Sequence, residues 1–217
     1  MKIKTVLFDL DGTLADTSQD MCNSLNAVLS ERNLQQVDCK NLKYHISRGA
    51  VGIIEYASEV NGRSIDSSLM RSDFLNHYSK NCFERTSLTK GMEQLLIDLD
   101  NLAIKWGVVT NKHSKYVNKI MSGLGLDARA SCVVTGNMVD EPKPSPESLI
   151  KAMCLLNENP ENIIYLGDDE RDITAGKSAG VFTAAADFGF IKDSSVIETW
   201  NADYIFKEPL DIMKIIQ

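Results

Sequence analysis

Ile3-Lys4-Thr5-Val6-Leu7-Phe8-Asp9-Leu10-Asp11-Gly12-Thr13 is an apolar run that stops abruptly at two carboxylates and a glycine. A short, doubly apolar run of this kind reads as a strand buried on both faces. Asp9 and Asp11 interrupt it too early for a signal peptide. Working outward, similar runs recur at Ile104 to Val109, Cys132 to Thr135, Ile163 to Leu166, Val181 to Ala185 and Tyr204 to Phe206. Helical periodicity lies between them. Met92, Leu95, Leu96 and Leu99 follow the i, i+3, i+4, i+7 pattern. Val117, Ile120, Met121 and Leu124 repeat it, and so do Leu149, Ala152, Met153 and Leu156. Ser145-Pro146-Glu147 reads as a helix start, with serine as cap and proline at the first helical position. Strand–helix alternation of this kind predicts an α/β fold, a doubly wound parallel sheet with helices on both faces.

One stretch breaks the alternation. Between about Asp16 and Arg85 the patterns are helical and no convincing strand occurs. Met21, Leu25, Val28 and Leu29 mark one apolar face, and Leu42 to Val60 and Ser67 to Phe83 read as further helices. An insert of about 70 residues is too long for a plain loop in a compact domain. It predicts an all-helical cap subdomain over 16–86, inserted into a core formed by 1–15 and 87–217. The crossings near Thr13–Thr17 and Arg85–Gly91 would be hinges.

Composition sets outer limits. The chain has 217 residues, 43% apolar and 24% charged, which is ordinary for a globular protein and excludes a disordered or fibrous chain. The net charge of -7 makes it a poor general binder of nucleic acid or of anionic membrane. No run approaches the ~18 apolar residues of a membrane span. Five cysteines without a C-x-x-C, and three histidines, offer no zinc spacing. Reduced, mostly buried thiols are expected, and with them a cytoplasmic location.

The chemistry gathers at predicted strand ends. Asp9 and Asp11, two residues apart, would repel each other unless a divalent cation offset the repulsion. Thr110 and Asn111 end the next core strand with a hydroxyl and an amide. Lys143 stands in Glu141-Pro142-Lys143-Pro144, where the prolines hold the backbone extended. Gly167-Asp168-Asp169-Glu170-Arg171-Asp172 ends a later strand with more acid, and a helix starting there would put Asp168 and Asp172 on one face. Each piece has a bland alternative: a D-G turn, a satisfied strand-end hydroxyl, a solvated loop lysine, or acids complementing a helix dipole. All four in order, each after a strand, make coincidence a poor explanation. In an open α/β sheet the carboxyl ends of the strands are where ligands bind. Carboxylates with substrate oxygens suit Mg²⁺. An ammonium and a hydroxyl suit the remaining phosphoryl oxygens.

Asp9-x-Asp11-Gly12-Thr13, Thr110, Lys143-Pro144 and Gly167-Asp168-Asp169-x-x-Asp172 resemble the four ordered motifs of the haloacid dehalogenase superfamily. The resemblance covers the whole chain, and the helical insert resembles that superfamily's C1-type cap. It implies a Rossmann-like core and a Mg²⁺-dependent phosphomonoester hydrolase. In such an enzyme Asp9 attacks phosphorus and forms an aspartyl-phosphate. Asp11 protonates the leaving oxygen and then deprotonates the hydrolytic water. Thr110, Asn111 and Lys143 bind the phosphoryl group. Mg²⁺ is held by Asp9, the Asp11 backbone carbonyl and Asp168, while Asp172 and Asp169 orient the metal's waters. Cap residues set substrate choice, and Ser47-Arg48-Gly49-Ala50 is the candidate, with Arg48 and Gly49 meeting an anionic leaving group.

Thr110-Asn111-Lys112 and Ala175-Gly176-Lys177-x-Ala179-Gly180 are similar to phosphoglycolate phosphatases. Trp106 to Lys112, the doubled Asp168-Asp169 and Phe188-Gly189-Phe190-Ile191 resemble the N-acetylmuramic acid 6-phosphate phosphatases. Phosphoglycolate is the first substrate expectation and N-acetylmuramic acid 6-phosphate the second. The partner is a small phosphate ester, and the protein is a monomer or homodimer. A sugar-phosphate mutase would need cap groups that delay hydrolysis, and none is identifiable. A phospho-receiver domain would be about half this length by the single-domain prior, and would carry its motifs in a different order.

Overall fold

The computed structural model describes residues 3–216. The apolar run at the start of the chain is the central strand β1 (Thr5–Phe8), buried at every residue. It is followed by a two-residue strand β2 (Ala15–Asp16) and the helices α1 (Ser18–Glu31), α2 (Cys39–Leu42), α3 (Gly49–Val60) and α4 (Ser67–Asn81). Then come β3 (Ser87–Leu88), α5 (Met92–Asn101), β4 (Lys105–Thr110), α6 (Ser114–Gly123), β5 (Cys132–Thr135) and α7 (Glu147–Leu156). The chain continues through β6 (Ile163–Gly167), α8 (Glu170–Ala179), β7 (Phe182–Ala186) and β8 (Tyr204–Phe206).

Six strands form one parallel sheet in the order β5-β4-β1-β6-β7-β8. Strand alternation sends successive side chains to opposite faces. Val6, Phe8, Val108, Ile164 and Leu166 therefore pack with Met92, Leu95 and Leu99 of α5 and Val117 and Ile120 of α6. Leu7, Val109, Val134 and Tyr165 pack on the other side with Leu149, Ala152 and Leu156 of α7. The chain moves from β1 to β4 and β5, then returns across β1 to β6. The order reverses between β4 and β6, so a crevice opens at the carboxyl ends of β4, β1 and β6.

The helical segment has its own apolar cluster. Leu25 and Leu29 of α1, Ile53 and Ala57 of α3, and Met70 and Phe74 of α4 are buried together, joined by Tyr116 and Phe190 from the sheet side. The two crossings lie side by side. β2 and β3 pair antiparallel, Ala15 with Leu88 and Asp16 with Ser87. Asp20, buried on α1, accepts backbone N–H bonds from Glu84 (3.0 Å), Arg85 (2.9 Å) and Thr86 (2.9 Å), and the Thr86 hydroxyl at 2.8 Å. A carboxylate taking several bonds of this kind is a strong local anchor.

Three expectations need correction. Cys22 on α1 and Cys39 at the start of α2 are joined as a disulfide, with S–S 2.01 Å and Cα–Cα 5.4 Å. Packing of α2 against α1 brings them together, a relation that sequence spacing does not encode. The cysteine argument for a reducing compartment therefore does not stand; among the described residues, Cys82 and Cys132 are buried free thiols and Cys154 is exposed. The Lys143 loop is a turn rather than extended: Ser145 N–H donates to the Pro142 carbonyl at 3.1 Å, and the Lys143–Pro144 peptide is cis. Helix α8 begins at Glu170 with Asp169 as its cap, so Asp168 lies outside the helix that carries Asp172. The strand end and the first helical turn converge instead. Among the described residues no helix is long and apolar enough to cross a membrane.

Candidate active site

β1 leaves the sheet at Asp9, and Gly12 makes the turn beyond it at φ +85, a left-handed conformation that favours glycine. A Cβ there would also overlap the Asp168 carboxylate, so the loop passes closely over that group. Asp168 follows β6. Its carboxylate accepts from the Thr13 hydroxyl at 3.1 Å and the Phe190 N–H at 2.7 Å. Lys143 reaches in from its turn, 6% exposed. Its ammonium donates to Asp9 Oδ1 (2.7 Å), Asp172 Oδ1 (2.6 Å) and the Tyr165 hydroxyl (2.7 Å). Tyr165 in turn donates to the Val109 carbonyl at 2.8 Å. Asp9 Oδ2 accepts no hydrogen bond among the described residues.

Ligand oxygens of Asp9, Asp168 and Asp172 all lie within 4.8 Å of one another. Burial pushes the Asp9 carboxyl up to about 6; Lys143 opposes the rise, while Asp172 and Asp11 add to it. Burial also raises Asp168 well above the carboxylate range, with Asp9 and Asp172 reinforcing it. Burial alone would lower the Lys143 ammonium, but Asp172 and Asp9 more than offset this and hold it above its ordinary value. Three buried carboxylates thus lie together, and the Lys143 ammonium bonds two of them. That excess of negative charge, all on oxygen donors, fits a hard divalent cation such as Mg²⁺.

A pH-dependent stability follows. An acid with a raised folded pKa binds protons more tightly in the native state. The contribution of Asp9 to metal-free stability therefore falls as pH rises from the unfolded value of 3.8 through about 6. Metal binding needs the deprotonated forms and runs the other way. Millimolar Mg²⁺ is expected to raise Tm more at pH 7.5 than at pH 5.5, relative to EDTA. An equal or reversed increment, read by differential scanning calorimetry, would contradict this charge balance.

The other sequence candidates gather around the same cavity. Asp11, Thr110, Asn111, Lys143, Asp168, Asp169, Asp172, Arg48 and Gly49 all line the same cavity as Asp9. Their engagements differ from the expectation at several points. Asn111 turns its amide to the Lys143 backbone, accepting from its N–H and donating to its carbonyl, both at 2.9 Å. It holds the turn that carries Lys143. Arg48 is 62% exposed along its side chain and pairs with Glu55 at 2.6 Å. Asp169 caps α8 and pairs with Arg171. His113, at the cavity mouth, caps α6 through a bond from Lys115 N–H. His45 stacks on Tyr56 at 4.3 Å.

Five side chains make contacts here to which the sequence reading assigns no role. Lys112 donates to both Asp11 oxygens, at 2.8 and 3.1 Å, and the Thr17 hydroxyl donates to Asp11 at 2.5 Å. Tyr78 of α4 lies under the Lys112 ammonium, 4.8 Å from its ring centroid. Tyr165 was signalled only as the one hydroxyl in an otherwise aliphatic strand. Arg171 had no signal beyond its place in the acidic run.

Residues 6–186 match the family model of haloacid dehalogenase-like hydrolases. The chain belongs to that family. It is 37% identical, over 100% of its own length and 97% of the relative's, to a protein named N-acetylmuramic acid 6-phosphate phosphatase from Pseudomonas putida KT2440. It is 32% identical, over 95% of itself and 93% of the relative, to one named phosphoglycolate phosphatase from Xanthomonas campestris pv. campestris 8004. A crystal structure described as a predicted phosphoglycolate phosphatase from Haemophilus somnus 129PT superposes with TM-score 0.88 at 27% identity, covering 100% of this chain and 99% of that one. The parallel sheet with its helical segment is thus the fold of this hydrolase family.

Proposed function

We propose that this hydrolase is a Mg²⁺-dependent phosphatase acting through an aspartyl-phosphate on Asp9, with N-acetylmuramic acid 6-phosphate as its substrate. The observation that carries the chemistry is the Lys143 ammonium clamped between Asp9 and Asp172 at the floor of the cavity. It fixes Asp9 through Oδ1 and leaves Oδ2 to attack phosphorus. Attack breaks the bond to the leaving oxygen, which takes its proton from Asp11. Asp11 then removes a proton from the water that hydrolyses the acyl phosphate, and Asp9 is regenerated. Lys112 and Thr17 orient the Asp11 carboxylate through this cycle. Thr110 and Lys143 hold phosphoryl oxygens and offset their charge. Asp9, the Asp11 backbone carbonyl and Asp168 would hold Mg²⁺, with Asp172 and Asp169 beside them; when bound, the ion neutralises charge on the phosphoryl group. We place the cap at 16–86 and the core at 1–15 and 87–217, the cap excluding water during transfer.

Two observations lead us to favour the muramic ester over phosphoglycolate, the first substrate expected from sequence. The cavity encloses about 420 Å³, within the roughly 300–1,000 Å³ range of pockets for ligands of many atoms. That is generous for a two-carbon acid and suited to a substituted sugar. The greater identity is also to the protein named for the muramic ester.

The test is phosphate release from a panel of esters, with Mg²⁺ and with EDTA. N-acetylmuramic acid 6-phosphate is expected to give the highest kcat/KM, with release abolished by EDTA. Asp11→Asn is expected to lower kcat by about 10²–10⁴-fold with little change in KM. A higher kcat/KM for phosphoglycolate would overturn the substrate assignment. No release from any ester would overturn the phosphatase reading.

A further inference from the structure

The muramic ester carries a carboxylate remote from the phosphate. Arg48, the residue sequence spacing suggests for it, is engaged by Glu55 and mostly exposed. Another arginine, Arg171, lines the same cavity. Arg171 lies in the first turn of α8, and its guanidinium is held from two directions. Nε donates to Asp169 Oδ1 at 2.7 Å and Nη2 donates to Asp169 Oδ2 at 3.2 Å. Nη2 also donates to the Ser47 carbonyl in the loop before α3. The Arg171 backbone N–H adds a bond to Asp169 Oδ1 at 2.9 Å. Nη1 has no hydrogen-bond partner among the described residues.

Asp169 is itself fixed as the helix cap. Burial works against its ionisation, but the Arg171 guanidinium outweighs burial and holds it below the usual carboxylate range. The plane of the guanidinium is therefore set by groups that are themselves set. A pre-oriented guanidinium suits a planar carboxylate better than a flexible ammonium does, because less freedom is lost per bond formed. The contact to Ser47 places this guanidinium against the loop that leads into Arg48 and Gly49, where core and helical segment meet across the cavity.

We propose that Arg171, positioned by Asp169, binds the carboxylate of the substrate and sets specificity for acidic phosphate esters. This rests on the phosphatase reading above. It also gives the second acid of the Asp168-Asp169 pair a task other than metal binding: it aims a cation.

The test compares N-acetylmuramic acid 6-phosphate with N-acetylglucosamine 6-phosphate, which has the same phosphate ester and no carboxylate. Wild type is expected to prefer the acid. Arg171→Gln is expected to lower kcat/KM for the acid about 10- to 100-fold, mainly through KM, with the neutral ester little changed. Asp169→Asn, which still caps the helix, is expected to lose part of the same preference, and Arg48→Gln to keep it. Arg171→Gln retaining the full preference would overturn the assignment, as would an equal loss on both esters, which marks a structural role. Loss of preference in Arg48→Gln alone would move the carboxylate to Arg48. A wild type that hydrolyses both esters without preference would overturn both the substrate reading and this inference. Retained preference in Arg171→Gln overturns only the inference. Tm of each variant, read alongside, shows that the fold is kept.

Discussion

Asp9→Asn is expected to lower phosphate release by at least about 10⁴-fold, comparable in scale to removal of a nucleophile from other enzymes with covalent intermediates. The size follows from position. Oδ1 is bonded to Lys143, and Oδ2 accepts no hydrogen bond among the described residues. An amide in the same place keeps the shape and forfeits the nucleophile. The stability of the variant should move the other way. At pH 7.5 without metal, wild type keeps Asp9 ionised against a carboxyl pushed up to about 6, beside Asp172 and Asp11. Replacing that charge with a neutral isostere relieves the repulsion. Tm of Asp9→Asn in EDTA is therefore expected to equal or exceed that of wild type. A variant that is both inactive and strongly destabilised would point to a structural role for Asp9. This is the usual opposition between a strained site and a stable fold.

Lys143→Met is expected to be the most damaging single change to stability in the site. Among the described residues Lys143 is the one ammonium bonded to Asp9 and Asp172, and its side chain is almost wholly buried. Removing one partner of a buried pair strands the other, at a cost of about 3–5 kcal/mol. For a chain of this size that is a Tm loss of roughly 10 °C. The loss should be smaller at pH 5 than at pH 7.5. Without Lys143 the carboxylates rise further, so their native forms take up protons at the lower pH and the repulsion is relieved. Activity should fall as well, because the phosphoryl oxygens lose their cation. A Tm loss independent of pH in calorimetry would contradict the electrostatic origin.

The parts of the fold legible in the sequence were the apolar runs of the strands and the periodic apolar faces of the helices. β5 and β8 run over Cys132–Thr135 and Tyr204–Phe206, the limits the apolar runs gave. β6 extends the expected strand by Gly167 alone. Asp9, Thr110 and Asp168 converge because each ends or follows a parallel strand, and parallel strands deliver their ends to one edge. The β2–β3 ribbon was not legible, since two residues per strand carry no alternation. The Cys22–Cys39 bond depends on how α2 packs on α1. Arg48 looked available because Glu55 lies two helical turns away, a distance that the local motif does not show. Asn111 looked like a ligand for substrate because its amide stands beside Thr110. Its partners sit in a turn more than thirty residues on in sequence, Lys143 N and O. Arg171 escaped because its partner, the Ser47 carbonyl, belongs to a different layer of the molecule.

The central claim is that phosphate passes through Asp9. The most direct test is rapid acid quench of the enzyme during turnover with Mg²⁺, followed by peptide mass spectrometry. The account predicts a phosphoryl group on the peptide carrying Asp9 in wild type, and none in Asp9→Asn. Full-rate phosphate release with no phosphorylated peptide, or a phosphoryl group on another residue such as His113, would contradict it.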